Sequence, residues 1–348
     1  MSPGVTLLGK DIYDLHMLVI WISVGIGIVV FALMFYSLIA HRKSLGHQAE
    51  HWHEHLGAEL AWTIIPFFIL AFMAWPAIKT LLKVYDTDEP EMNVVVTGYQ
   101  WKWKYEYLGQ TPADSVSFFS NLATPRAEIE GKQPKSEFYL LEVDEPIHIP
   151  VHTKVRFLIT GNDVIHSWWV PELAVKKDAI PGIVNEAWTK AEKVGIYRGQ
   201  CAELCGKDHG FMPIVVVVEE KADYDKWLSG KKAEARKLRE LMAQSFSKEE
   251  MIAKGEKVYT NTCMACHGAK GEGGVGKPIA GSKVATGAIE EHLNVVVNGR
   301  PGTAMQAFGG ILNELDIAAV VTYQRNAFGN NMGDSLQAVD VAKFKSKK

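Results

Sequence analysis

Four cysteines lie in the chain, and the first two, Cys201 and Cys205, are followed closely by His209 and Met212. His166 stands upstream in the run DVIHSWWVPEL. Two thiolates, two imidazoles and a thioether are soft donors of the kind that bind copper. A blue-copper site needs only two histidines, one cysteine and a weak methionine. Because this set is larger, its simplest interpretation is two copper ions bridged by the two sulfurs.

Two other interpretations of Cys201 and Cys205 stay open at the level of sequence. In an oxidising compartment the pair could form a disulfide. A zinc site could use the same cysteines and histidines, although zinc has little use for the thioether of Met212.

The second cysteine pair lies in the motif Cys263-Met-Ala-Cys266-His267. Cys-x-x-Cys-His is the attachment signature of c-type haem, and alone it can also be a redox or zinc pair. In the haem interpretation the two thiols add to the haem vinyl groups and His267 binds the iron. Attachment then requires reduced thiols and haem outside the bacterial cytoplasm.

A sixth iron ligand is expected between the haem motif and a final helix that opens at Asn313. Met305 is the only methionine between Met264 and Met332. Ligation by histidine and methionine raises the haem potential. His292 is the competing sixth ligand.

Two long apolar runs precede these motifs. Residues 15–40 and 60–78 contain no Asp, Glu, Lys or Arg, and about 20 apolar residues suffice to cross the hydrocarbon core as a helix. The first run is too long for the core of a signal peptide, about 7–15 residues, and the second is interrupted by Pro66 and Pro76. We predict a two-helix transmembrane hairpin within residues 1–90.

The loop between the two runs carries Arg42 and Lys43. Positive residues favour the cytoplasmic side, so both termini are predicted to lie outside the cytoplasm. Lys79 and Lys83 just beyond the second run weaken this asymmetry. The haem motif also has to lie outside the cytoplasm, which agrees with this topology.

The rest of the chain divides by composition. Residues 91–220 hold short alternating runs typical of an all-β sandwich or barrel, with strands expected at Met92–Thr97, Phe138–Val143, Val155–Thr160 and Pro213–Glu219. Residues 221–246 are charged and helix-prone and look like a linker. Residues 247–330 predict an all-α domain, with a helix expected over Lys248–Tyr259. Residues 331–348 look like a disordered tail.

Several blocks of the chain resemble cytochrome c oxidase subunit II in sequence and spacing. They are ELAWTIIP, YQWKWKYEY, LEVDEPIHIP, NDVIHSWWVPELAVKKDAIPG and GQCAELCGKDHGFMPI, and the likeness covers residues 11–220. The resemblance implies a cupredoxin-like β-barrel that faces the periplasm and holds a binuclear copper centre, CuA. The implied ligands are His166, Cys201, the backbone carbonyl of Glu203, Cys205, His209 and Met212.

The same resemblance implies three further roles. The Glu203 side chain would join a magnesium or manganese site shared with subunit I. Trp101 would lie near the copper and relay electrons from a docked cytochrome, whereas most aromatic residues of such a strand serve core packing. Glu59 would lie at the mouth of a proton pathway into subunit I, where an interfacial carboxylate without such a role is an equal alternative.

Residues 248–328 resemble a class I cytochrome c domain. The resemblance implies covalent haem c on Cys263 and Cys266, with His267 and Met305 as iron ligands. It also implies that the carbonyl of Pro278 orients the imidazole of His267.

The expected protein is subunit II of a caa3-type oxidase with a C-terminally fused cytochrome c domain. Electrons from a cytochrome c or another periplasmic donor would reach haem c, then CuA, then the haem centres of subunit I. There oxygen would be reduced to water with proton pumping, since this chain shows no oxygen-reducing site of its own. Expected partners are subunits I and III and the lipid of the bacterial inner membrane. The net charge of −3 gives no reason to expect nucleic acid.

Three alternatives differ in function. A quinol oxidase subunit II shares the fold but lacks the copper ligands. A stand-alone membrane-anchored electron carrier would not copurify with a large haem–copper polypeptide. Nitrous oxide reductase also uses CuA, but nothing in this chain resembles its catalytic domain.

Overall fold

The computed structural model describes residues 3–46, 48, 53–111, 114–300 and 302–346. The chain separates into two compact units, Met1–Lys232 and Ala233–Lys348. The boundary falls inside one long helix, Lys221–Ala243.

Two long apolar helices open the first unit: α1 (Leu7–Ala40) and α2 (Leu56–Val84). Both helices are long and apolar enough to cross a membrane. The apolar stretch of each helix is not buried by the rest of the protein. The hydroxyl oxygen of Thr6 caps α1 by accepting the Gly9 N–H at 2.7 Å. Lys83 on α2 pairs with Asp11 on α1 at 2.5 Å, so an ion pair joins the two helices at their polar ends.

A β-sandwich follows the helices, with one short helix, α3 (Arg126–Ile129), after its third strand. The strands are β1 (Met92–Tyr99), β2 (Lys102–Tyr107), β3 (Val116–Ser120), β4 (Ile147–Pro150), β5 (Val155–Gly161), β6 (His166–Val170), β7 (Val175–Ala179), β8 (Asn185–Thr189), β9 (Gly195–Cys201) and β10 (Pro213–Glu219). One five-stranded sheet has the order β3-β2-β1-β5-β8 and the other β4-β10-β9-β6-β7. The predicted all-β class is confirmed.

The core of the sandwich follows from alternation along the strands. On β5, Val155, Phe157 and Ile159 are fully buried, and the residues between them are only partly buried. Trp103 and Trp168 are also fully buried. Side chains of successive strand residues point to opposite faces, so one face of each sheet supplies the core.

One predicted strand is wrong. Phe138–Val143 forms a turn in which the Leu141 N–H donates to the Phe138 carbonyl at 2.8 Å, and only Val143 forms an isolated bridge. The apolar residues that predicted a strand serve a different contact. The guanidinium of Arg198 lies 3.5 Å from the centre of the Phe138 ring and pairs with Glu142.

The segment expected as a linker begins with helix α4 (Lys221–Ala243). Its first turns belong to the core of the sandwich, where Tyr224 is buried and Trp227 and Leu228 pack. Lys231 pairs with Glu145 at 2.8 Å. The start of this segment is thus held by packing against the β-domain.

The second unit is helical: α5 (Lys248–Val258), α6 (Met264–His267), α7 (Ile289–Asn298), α8 (Glu314–Asn326) and α9 (Ala338–Ser346). Ser247 and Glu250 form a capping box that starts α5. The amide oxygen of Asn313 caps α8 by accepting the Asp316 N–H. Both helix starts agree with the sequence prediction.

The prediction of a disordered tail after residue 330 is wrong. Residues 338–346 form α9, and Leu336, Ala338 and Val341 are buried in the core of the second unit. The lysine-rich end of the segment suggested disorder. The apolar residues ahead of it, spaced to bury one helix face, decided the structure instead.

The packing of α5 on α8 yields a stability prediction. A β-carbon at Gly255 would lie 2.1 Å from the carbonyl oxygen of Ala319, so we expect Gly255→Ala to lower the free energy of unfolding by about 1–3 kcal/mol or more. Differential scanning calorimetry of the detergent-solubilised chain measures the change. Gly230→Ala is the matched control, since nothing lies within 4 Å of that position. An equal melting temperature for the wild type and Gly255→Ala would contradict the packing.

Candidate metal centres

The first unit brings two cysteines and one histidine together. The ligand atoms of His166, Cys201 and Cys205 all lie within 4.8 Å of one another, and all three residues are buried. The two Sγ atoms are 3.8 Å apart. A disulfide needs about 2.05 Å, so both thiols are free.

The loop between β9 and β10 supplies the remaining donors. The Cys205 sulfur lies 3.5 Å from Nδ1 of His209 and 3.5 Å from Sδ of Met212. The carbonyl oxygen of Glu203 lies 3.4 Å from the Cys201 sulfur. The structure therefore places donor atoms from all six residues named in the sequence analysis around one pair of sulfurs.

The imidazole of His166 tests whether a metal fits this site. Its Nε2 lies 2.9 Å from a carboxylate oxygen of Asp163. Its Nδ1 is buried and forms no hydrogen bond with any residue that the structure describes. Buried polar atoms are rarely left unpaired, and a metal-binding histidine commonly donates its other ring nitrogen to a carboxylate. The donor set and the unpaired atom both fit a bound cation.

The electrostatics of the site favour a positive ion. Burial raises the pKa of the Cys201 thiol, but the neighbouring His166 and the backbone of Glu203 outweigh burial and bring that pKa to about 7. Burial and the Cys201 sulfur raise the pKa of Cys205 to about 12. Burial lowers the pKa of His166, but Asp163 and Cys201 outweigh it and raise that pKa to about 9. A metal that binds these thiol and imidazole groups would displace their protons.

Two polar residues that the sequence analysis did not name also hold the site. Asp163 fixes His166, and the side-chain amide of Gln100 donates to the Cys205 carbonyl at 2.9 Å. The indole N–H of Trp101 donates to the same carbonyl at 3.1 Å. Trp101 therefore contacts the cysteine loop directly. Gln100 and Asp163 lie inside the blocks YQWKWKYEY and NDVIHSWWVPELAVKKDAIPG, but their residue types alone gave no reason to single them out as supports of the site.

Glu59 is not part of this cluster. It lies in the first turn of α2, where its carboxylate accepts the His55 N–H at 3.1 Å. Its observed contact is with the start of the helix. The side chain of Glu203 is exposed, while its backbone takes part in the loop.

The second unit presents the haem motif on a turn followed by a short helix. A π-helical turn, Tyr259–Cys263, leads into α6. The thiols of Cys263 and Cys266 are free, and Cys266 is exposed. Nδ1 of His267 lies 2.7 Å from the carbonyl oxygen of Lys277. That hydrogen bond leaves Nε2 as the nitrogen available to iron.

The resemblance implies that the Pro278 carbonyl orients the imidazole of His267, and this prediction is wrong by one residue. The acceptor is the carbonyl of Lys277. A proline restricts the residue before it to extended conformations, so Pro278 acts on the backbone of Lys277. The Pro278 ring also packs against Gly273, where a β-carbon would approach it within 3.0 Å.

The two candidates for the sixth ligand lie in different surroundings. Met305 is on a loop, packs against the core of the second unit, and accepts the Arg300 N–H at 2.9 Å through its carbonyl. His292 is buried on α7, with Nε2 2.8 Å from the Gln324 side-chain oxygen. Burial lowers its pKa to about 4. Its Nδ1 has no partner in the described part of the chain. Nε2 of His292 is engaged and only its Nδ1 is left for a metal, and the role of Met305 as the sixth ligand stays a prediction from the sequence.

Family models match three segments of the chain. The transmembrane domain of cytochrome c oxidase subunit II matches residues 1–80, and the periplasmic domain of the same subunit matches residues 92–219. A cytochrome model, described as cytochrome c oxidase, cbb3-type, subunit III, matches residues 250–323. The matches follow the order hairpin, β-sandwich and helical unit.

Named relatives agree with these matches. A probable cytochrome c oxidase subunit 2 of Rickettsia bellii is 36% identical over 230 residues, which cover 66% of this chain and 82% of the relative. Cytochrome c oxidase subunit 2 of Cyanidium caldarium is 36% identical over 223 residues, which cover 64% of this chain and 86% of the relative. The periplasmic domain of subunit II of cytochrome oxidase of Bradyrhizobium japonicum is 40% identical, covering 42% and 98%, with a TM-score of 0.36. The chain therefore belongs to the cytochrome c oxidase subunit II family, carries a cytochrome c domain after its subunit II domains, and is a subunit of an oxidoreductase.

Proposed function

We propose that this subunit receives electrons at haem c and passes them through CuA to the haem centres of subunit I. The observation that carries the proposal is the buried Nδ1 of His166, which has no hydrogen-bond partner in the described part of the chain, beside two free thiols. Bound copper and haem c would supply one-electron transfer. Oxygen reduction to water and proton pumping then belong to the complex.

The copper pair would be held by His166, Cys201, Cys205, His209, Met212 and the carbonyl of Glu203. Asp163 would keep His166 in the tautomer whose Nδ1 is free for the metal. The hydrogen bonds from Gln100 and Trp101 hold the Cys205 carbonyl, so the cysteine loop is fixed before metal enters. A rigid protein shell keeps bond lengths similar in both oxidation states, which speeds electron transfer.

Trp101 is proposed as an electron relay to the copper pair. It is only half-buried, and its indole N–H reaches the Cys205 carbonyl. A donor that reaches the exposed part of the ring would therefore have a short covalent and hydrogen-bonded route to a ligand cysteine.

The haem would be bound by Cys263 and Cys266 through its vinyl groups, and by His267 and Met305 through its iron. The Lys277 carbonyl holds the His267 ring by its Nδ1–H. Such a hydrogen bond makes the imidazole a more basic ligand. Met305 would complete a ligand pair that raises the haem potential.

The remaining assignments concern the complex and its membrane. We propose that the exposed carboxylate of Glu203 joins a magnesium site at the subunit I interface, and that Glu59 lies at a proton entrance. The placement of Arg42 and Lys43 supports a cytoplasmic loop between α1 and α2 in the bacterial inner membrane. The β-sandwich and the second unit would then face the periplasm, where a cytochrome c or similar donor is available. Subunit III is proposed as a further partner.

A cysteine substitution tests the copper assignment. We expect Cys205→Ser to lower bound copper from two ions per chain to one or none, because a hydroxyl is a poor ligand for copper. Electron paramagnetic resonance and metal analysis of the full chain measure the change. Cys266→Ser is the reciprocal control, since it should alter haem attachment and leave copper in place. Retention of both copper ions by Cys205→Ser would rule out the bridging role.

The sixth haem ligand is tested by Met305→Ala. We expect the low-spin absorption of a histidine–methionine haem to be lost while the copper signals stay unchanged. Met332→Ala is the control, because Met332 is an exposed methionine of the same unit. An unchanged haem spectrum in Met305→Ala together with a changed spectrum in His292→Gln would transfer the role to His292.

A further inference from the structure

The ring of His166 contacts two residues that lie opposite each other on neighbouring strands. Gly98 on β1 lies directly opposite Trp103 on β2. A β-carbon at Gly98 would lie 2.7 Å from Cδ2 and 2.9 Å from Cγ of His166. The centre of the Trp103 ring lies 5.9 Å from that of His166, with the ring planes inclined by 63°. We call this pair the Gly98–Trp103 slot.

Trp103 also contacts a second residue of the metal cluster. Its indole N–H donates to the carbonyl oxygen of Met212 at 3.3 Å, and its side chain is fully buried. A buried N–H that loses its acceptor is unfavourable, so this contact resists movement of the Met212 backbone. The Trp103 side chain therefore contacts two candidate ligands, His166 at the start of β6 and Met212 just before β10.

The backbone of Gly98 is held in place by the sheet. Gly98 is buried, and its place on β1 is fixed by pairing with Trp103 on one side and with Gly161 on the other. Because Gly98 has no side chain, the His166 ring can approach the strand closely, and a β-carbon at this position would displace the ring. The position of the His166 ring thus depends on Gly98 and on the pairing of β1 with its two neighbouring strands.

We propose that Trp103 and Gly98 are positioning residues of the copper centre: the slot sets the direction of His166 Nδ1, and the Trp103 indole holds Met212. The inference rests on the copper centre proposed above. The residues act on the metal through its ligands and contact no metal themselves. A change in the slot should therefore alter the spectrum and potential of the copper pair even where the metal content is unchanged.

The test uses the full copper-loaded chain with haem attached. We expect Trp103→Phe to retain two copper ions, because an aromatic ring still packs beside His166. We expect its copper hyperfine splitting and reduction potential to change, because the hydrogen bond to the Met212 carbonyl is lost. We expect Gly98→Ala to weaken copper retention against a chelator roughly 10–100-fold. The absorption bands of the haem serve as an internal reference in each sample.

Trp227→Phe is the matched control. Trp227 packs against the same core, where its ring stacks on His148 with centres 4.4 Å apart, and we expect its copper signals to equal those of the wild type. Wild-type hyperfine splitting and reduction potential in Trp103→Phe would overturn the inference. This result decides the question even if circular dichroism shows that Gly98→Ala does not fold. A wild-type chain without a copper pair overturns the proposed function and this inference together.

Discussion

The candidate copper centre depends on the antiparallel pairing of β6 with β9. This pairing sets Trp168 opposite Cys201, which brings His166, at the start of β6, to the end of β9. Gly199 allows the close approach, since a β-carbon there would lie 2.0 Å from the carbonyl oxygen of Trp169. The loop to β10 then has only to fold back over Cys201 to supply Cys205, His209 and Met212. A strand register thus joins donors that are 35 residues apart in the chain.

The second constraint is the burial of polar ligand atoms. Nδ1 of His166 is buried with no hydrogen-bond partner among the residues that the structure describes, and such burial costs about 1–3 kcal/mol. Asp163, Gln100 and Trp101 fix the ligand residues from outside. Copper binding would recover this cost, so metal affinity and the stability of the sandwich should rise together.

Much of this arrangement was accessible from sequence because ligand chemistry is carried by residue type and spacing. The Cys-x-x-x-Cys loop, the Cys-x-x-Cys-His motif and the apolar runs each predict a local structure. The supporting shell was not accessible, since Gln100 reaches the Cys205 carbonyl from the other sheet through a tertiary contact and the Lys277 carbonyl is a backbone group that any residue could supply. Phe138–Val143 and the final helix show the other limit. In both segments, contacts with distant residues decided between turn, helix and disorder.

The most direct test of the account is the metal and haem content of the purified full chain, read with electron paramagnetic resonance. The account predicts two copper ions that share one unpaired electron and one covalently bound haem c per chain. One copper or one zinc ion per chain, or a disulfide between Cys201 and Cys205, would contradict the binuclear centre. The chain would then be a haem protein on the scaffold of an oxidase subunit.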